Sequence, residues 1–382
     1  MTKRYDIAVV GAGIAGCTIS HTLAQYGVKL ILCDRGTEVA TGGSGAAGAF
    51  VSPKIGKGGP LQELTNEAFS YASEYYKRHF PEHFHQTGIL RVPKSEEDAK
   101  RFPLYEPFNH PKYEVWDAEK ARREGFSCRW GGFFFPTAGD CDAEEICKSM
   151  ISEVPFLTFD VTSMERDEDI WRLHSCDGDT IEASIVILAT GHRNGLTDME
   201  YMGVKGLWGS RGDYYVSDAP RYTIHESFTV SSVRNGIVKI GATHVKSPDP
   251  CSICDGRPLA GLEERAMNLV DFPEPPLLKE TLCGMRSGSR DYFPLVGRVI
   301  DVRSMLKRYP EIKKGATRET IYHRNLYIIN GMGGRGFVFS PLMAAWLGET
   351  IMDRREMDGR VSPDRLFWRW VRRLKNETSE RG

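Results

Sequence analysis

Three glycines, at positions 11, 13 and 16, stand between a β-branched run and an amphipathic stretch, a spacing suited to holding a pyrophosphate. The first permits a tight turn, the second lets a phosphate approach the backbone, and the third lets a helix pack closely on the strand. A helix starting there turns its N-terminus toward the phosphate charge. Asp34 comes 18 residues after Gly16, where a carboxylate can accept hydrogen bonds from a ribose. Two more glycine clusters follow, "TGGSGAAG" at 41–48 and "GMGGRGF" at 331–337. Three such turns beside sheet strands suit a long, bent cofactor met by backbone amides at several points, and FAD, longer than NAD, fits that demand. A further stretch, "GMRSGSRDYFPLVG" at 284–297, sets Arg286 and Arg290 among glycines and serines in what reads as a turn leading into an apolar run.

The elements that must position these residues follow from periodicity. Residues 5–35 read as strand, glycine turn, helix and strand, one βαβ unit. A helix is expected over 61–80 and another over 142–152, opened by Asp142 with Glu145 three residues on, a capping box. "SIVILATG" (184–191) is the next strand able to join the parallel sheet, and 156–183 alternates like an antiparallel meander. Residues 222–244 read as a hairpin turning at Asn235-Gly236. Near the end, 325–352 reads as strand, glycine turn and helix, with Ser340 as N-cap and Pro341 at the first helical position. The expected class is α/β: an FAD-binding, Rossmann-like domain of glutathione-reductase type with an interleaved antiparallel-sheet substrate domain. The cofactor domain takes 1–80, 136–200 and 284–358, the substrate domain 81–135 and 201–283, and 359–382 forms a basic, aromatic tail.

The 382 residues carry a formal net charge of −1, so no global field draws the chain to nucleic acid or lipid, and any such contact must be a local patch. Nine scattered cysteines fit reduced thiols better than a disulfide framework. Without a run of about 18 apolar residues, or a signal-peptide pattern, a soluble, cytoplasmic protein without membrane contact is expected.

The motifs "VVGAGIAG", "ILATG" and "GGRGF" resemble the D-amino-acid and glycine oxidase family of flavoproteins, and with "GGSGAAGAFVSP", "GMRSGSRDYFPLVG" and the tail "SPDRLFWRWVRRLK" the resemblance covers nearly the whole chain. It is nearest to a branch that acts on a modified uridine of tRNA. It implies non-covalent FAD held by Gly11, Gly13, Ile14, Ala15, Gly16, Asp34, Arg35, Gly42, Ser44, Gly45, Ala47, Gly48, Val161, Thr190, Gly191, Gly331, Gly333, Gly334, Arg335, Gly336 and Phe337. It implies oxidative removal of the carboxymethyl group from 5-carboxymethylaminomethyl uridine at the wobble position, leaving the aminomethyl form and glyoxylate. The methyltransferase domain fused to that branch has no room before residue 5, so methylation is expected of a separate enzyme.

In this reading Arg286 is the carboxylate-binding arginine, since a guanidinium fork fixes a carboxylate's plane where a lysine does not. The alternative is a turn arginine paired with Asp291. Arg290 neutralises a phosphate, pairs with Asp291 or is solvated, and Arg335 either flanks the flavin or substrate carboxylate or lies at the surface. Arg369, Arg372 and Arg373, interleaved with Trp368 and Trp370, can follow a phosphate backbone, or project into water from a helix docked by its aromatics. Rival readings are an oxidase of free glycine, sarcosine or a D-amino acid, and a flavin-containing RNA-binding module without turnover. Cys251-x-x-Cys254 lacks further ligands and reads as a loop, His83 and His85 as structural, and Asp140, Asp142 and His192 as capping or turn residues; no metal is expected.

Overall fold

A computed structural model describes residues 3–193, 195–246 and 259–379. The glycine motif lies at one end of an eight-stranded sheet whose parallel part runs Phe156–Thr158, Leu30–Asp34, Lys3–Val10, Thr180–Leu188, Tyr322–Asn330. The second halves of its central strands are apolar because both faces are covered there: Ile7, Ala8 and Val9 are at most 1% exposed. Thr180–Leu188 shares one edge between two partners, its first half pairing antiparallel with Ile170–Ser175 and its second half parallel with Tyr322–Asn330. Val161–Asp167 completes the expected meander, and Leu295–Ile300 closes the far edge antiparallel to Tyr322–Asn330. Helices Ile14–Ala24, Pro60–His79 and Gly336–Ile351 pack together in one core layer.

A second eight-stranded sheet runs Leu277–Gly288, Lys205–Tyr215, Ile237–Gly241, Thr229–Val230, Thr223–His225, Ile89–Arg91, Gly132–Phe135, Glu114–Trp116. All its pairings are antiparallel except Thr223–His225 with Ile89–Arg91, which joins two distant stretches of chain. The hairpin turns at Asn235 and Gly236, both with positive φ (+50° and +69°), as its two-residue turn requires.

Four local expectations give way. Residues up to Gly288 are not a turn but the end of a twelve-residue strand, paired from Lys205–Gly288 to Tyr215–Leu277 and running through the domain boundary expected at 283/284. Its glycines serve close approach instead: a Cβ on Gly284 would lie 2.8 Å from Ala46 Cβ and 2.9 Å from Gly43 Cα. The helix after the third glycine cluster begins at Gly336, so Ser340 and Pro341 lie within it. Pro341 has no N–H for the Phe337 carbonyl one turn earlier; the hydroxyl of the buried Tyr76 donates to that oxygen at 2.9 Å. Asp142 does not cap its helix with its side chain, because that carboxylate is taken by His85 and Arg234. Cys283 is disulfide-bonded, whereas Cys17, Cys33, Cys128, Cys141, Cys147 and Cys176 are free thiols; Cys251 and Cys254 lie outside the described residues.

The tail forms helix Asp364–Ser379, which docks Leu366, Phe367 and Val371 in the core beside Tyr201. Among the described residues no helix is long and apolar enough to cross a membrane.

Candidate active site

All three glycine turns open onto one cavity of about 1230 Å³ between the two large sheets, larger than most small-molecule sites. Gly11 has φ +108°, and a Cβ there would lie 2.4 Å from the Ala189 carbonyl oxygen, so only glycine lets this turn nest against the end of the neighbouring strand. The Asp34 carboxylate accepts from Ala12 N (2.6 Å) and Gly36 N (2.9 Å), and Ser44 Oγ accepts from Ile14 N (2.9 Å). These bonds pin the second glycine loop to the first. Helices Ile14–Ala24 and Gly336–Ile351 carry no acidic residue in their first turns, which leaves their positive ends uncompensated.

Gly11, Gly13, Ile14, Ala15, Asp34, Arg35, Gly42, Ser44, Ala47, Gly48, Val161, Thr190, Gly191, Gly331, Gly333, Gly334, Arg335, Gly336 and Phe337 all line this cavity. Gly16 and Gly45 do not: a Cβ on Gly16 would fall 1.8 Å from Gly11 O and one on Gly45 2.3 Å from Ala40 O, so they shape the turns from behind. The volume of the space, the backbone amides and the two bare helix N-termini fit FAD. Asp34 and Arg35 line one part of it, Gly331–Phe337 another.

Arg286 stands on strand Leu277–Gly288 opposite Leu207. Its guanidinium lies over Gly209, where a Cβ would be 2.2 Å from Nη2 and 2.4 Å from Cζ, and Nη1 donates to Thr243 O at 3.1 Å. Its Cδ is 3.7 Å from where a Cβ on Gly334 would sit, so it faces the third glycine turn. Asp291 is not its partner, since that carboxylate is held by Arg365 at 2.9 Å.

Sequence reasoning missed the company that Arg286 keeps. Lys54, Arg91, His225 and His244 line the same cavity as Arg286 and Arg335. Parallel pairing sets Arg91 directly beside His225, and Arg335 Nη1 reaches toward Ser52 O (3.4 Å), two residues before Lys54. No ion pair joins Lys54, Arg91, Arg286 or Arg335 to a carboxylate among the described residues, whereas three other cations lining the cavity are paired, Arg211 with Asp213 and Lys239 with Asp140 (both 2.9 Å) and Arg193 with Asp160 (3.6 Å). Burial, then Arg335, pushes the Arg91 pKa down to about 9, and burial pushes that of Arg335 down to about 10. Burial, then Arg335 and Arg91, lowers Lys54; burial, then Arg91, Arg335 and His244, holds His225 well below the usual histidine value; burial, then Arg286, lowers His244. A pocket with this surplus of cations is built to receive an anion.

The remaining expected site residues do not converge on the cavity. Arg290 is exposed on the loop after the strand, and Arg369, Arg372 and Arg373 lie on the terminal helix, the first two exposed. His85 is structural, paired with Asp142 at 2.8 Å.

The chain is 28% identical to the tRNA 5-methylaminomethyl-2-thiouridine biosynthesis bifunctional protein MnmC of Shewanella amazonensis, over 98% of this chain and 61% of that protein. It is 24% identical to its counterpart in Marinobacter nauticus, over 94% and 58%. It thus spans about three-fifths of the length of these relatives. In fold it is similar to glycine oxidase from Geobacillus kaustophilus (TM-score 0.74, 18% identity, 93% of this chain and 96% of that one). It is also similar to iminodiacetate oxidase from Chelativorans sp. BNC1 (TM-score 0.69, 17% identity, 94% and 98%). With glycine turns, helix termini and cationic pocket in one cavity, and with the family model matching residues 6–350, the chain belongs to the DAO family of FAD-dependent oxidoreductases.

Proposed function

We propose that this enzyme oxidatively removes the carboxymethyl group from 5-carboxymethylaminomethyl-(2-thio)uridine at the wobble position of tRNA, giving the 5-aminomethyl form and glyoxylate. The observation that carries the reading is Arg286, held over Gly209 and facing the third glycine turn amid cations that lack carboxylate partners among the described residues. FAD bound along the glycine turns would supply the two-electron oxidation of the C–H bond beside the substrate nitrogen, taking up its hydrogen as hydride. The fork of Arg286 holds the substrate carboxylate in one plane, which fixes the neighbouring methylene. Lys54, Arg91 and Arg335 add positive field, which disfavours an ammonium and keeps the amine neutral with its lone pair available. His225 and His244, both shifted toward their neutral forms, line the same pocket without adding charge to that field. Water then adds to the resulting C=N bond, which divides into primary amine and glyoxylate.

The similarity to MnmC proteins supports tRNA as the substrate, and the exposed Arg369 and Arg372 beside Trp368 and Trp370 offer a face for its backbone. A methylating activity acting on the primary amine would follow. Nucleosides of tRNA from cells lacking the protein test this directly. Accumulated carboxymethylaminomethyl uridine is expected, and an unchanged pool refutes the reading. Anaerobic bleaching of the purified flavoprotein by sarcosine but not by tRNA would move the substrate to free small amines.

A further inference from the structure

Tyr292 lines the cavity while 76% of its surface stays exposed, which sets it at the rim, and its backbone has φ +69°. The left-handed region is unfavourable for a large side chain, and a ring this exposed regains little by burial. The strain persists because both sides of the loop are locked. Asp291 Oδ1 accepts from Phe293 N (3.3 Å), and Ser289 Oγ lies 2.6 Å from Phe293 O and 3.1 Å from Asp291 Oδ1. From the terminal helix, Arg365 ties this corner to its own N-terminal turn. Nε and Nη2 bond the Asp291 carboxylate (both 2.9 Å), Nη2 also bonds Phe293 O (3.0 Å), and Nη1 bonds Val361 O and Ser362 O (2.8 and 2.9 Å). A strained residue that its surroundings hold so firmly points to use rather than packing.

We propose that Tyr292 is a stacking platform at the mouth of the cavity for the planar ring of the substrate, the nucleobase whose side arm reaches Arg286. The inference rests on the tRNA reading above. An aromatic face is tolerant of base identity, so it would select for a ring without selecting its sequence context. Arg365 is then a positioning residue, and the terminal helix acts on the site through it as well as through any contact with RNA.

The test uses the FAD-loaded enzyme and three variants, Tyr292→Phe, Tyr292→Leu and Tyr292→Gly. The probes are tRNA carrying the modified uridine and sarcosine, which has the same secondary amine and carboxylate without a ring, as substrate or as competitive inhibitor. Loss of one stacked base weakens binding by about 5- to 100-fold. For Tyr292→Leu we expect the KM for tRNA to rise by about that factor relative to the constant for sarcosine, with kcat little moved, and Tyr292→Phe to retain the wild-type ratio. Tyr292→Gly should lose the ratio like Tyr292→Leu while its melting temperature rises, because glycine relieves the backbone. A Tyr292→Leu enzyme with the wild-type ratio overturns the inference, and so does loss of bound FAD in that variant, which would assign the ring to the cofactor. A wild-type enzyme inert toward tRNA overturns the tRNA reading and the nucleobase with it; activity on tRNA with an indifferent Tyr292 overturns this inference alone.

Discussion

Gly209→Ala is expected to disable the enzyme without unfolding it. The new Cβ would lie 2.2 Å from Arg286 Nη2, 2.4 Å from Cζ and 2.6 Å from Nη1. Ordinary contact begins near 3.4 Å, so the guanidinium must retreat by at least about 1.2 Å. It can do so, because it is the end of a flexible side chain, and Gly209 sits on strand Lys205–Tyr215 without a positive φ, where alanine is allowed. A displacement of that size at a positioning group costs on the order of 100-fold in rate, or about 2.7 kcal/mol of transition-state stabilisation. The assay is anaerobic reduction of the bound flavin by tRNA carrying the modified uridine, read as kcat/KM, beside a thermal melt. Arg286→Ala should lose two to three orders of magnitude by itself, and adding Gly209→Ala to it should cost nothing more, since the two act through one group. A Gly209→Ala enzyme within twofold of wild type, or a full additional loss in the Arg286→Ala background, would refute the placement of the carboxylate at Arg286.

Tyr76→Phe leaves the buried Phe337 carbonyl with no donor, because Pro341 supplies none, and should cost about 1–3 kcal/mol in urea unfolding. Gly16→Ala drives a Cβ to 1.8 Å from the Gly11 carbonyl, backbone that cannot yield, so it should cost more than about 3 kcal/mol and strip FAD from the purified protein, read by the flavin-to-protein absorbance ratio. Gly42→Ala, whose Cβ meets nothing within 4 Å, is its control for folding and should melt near wild type. His21 packs against Tyr75, His79 and Phe80, and burial, then His79, holds its pKa down to about 4. The unfolded chain binds that proton near 6.5 and the folded chain only near 4, so His21 costs no stability above 6.5 and lowers it progressively as pH falls from 6.5 toward 4. The melting temperature should decline over that window, and less steeply in His21→Gln.

The spacing of Gly11, Gly13, Gly16 and Asp34, the apolar strands covered on both faces and the capacity of Arg286 to bind a carboxylate are properties of residue order and type. They made the nucleotide-binding sheet and the likeness to flavin-dependent oxidases legible before any coordinates. Glycine was the harder letter, because the same residue that signals a turn also allows close approach inside a strand. Hence residues 284–288 read as a turn but form a strand end, while Gly16 and Gly45 are packing glycines behind the cavity. Folding alone gathered Lys54, Arg91, His225 and His244 around Arg286 and Arg335, through the parallel pairing of Ile89–Arg91 with Thr223–His225. It also turned Arg365, one basic residue of a basic tail, into the clamp on Asp291 that sets Tyr292 at the rim. Periodicity encodes what a segment shows its immediate neighbours, whereas which distant cation is left without a carboxylate is decided only when the chain closes on itself.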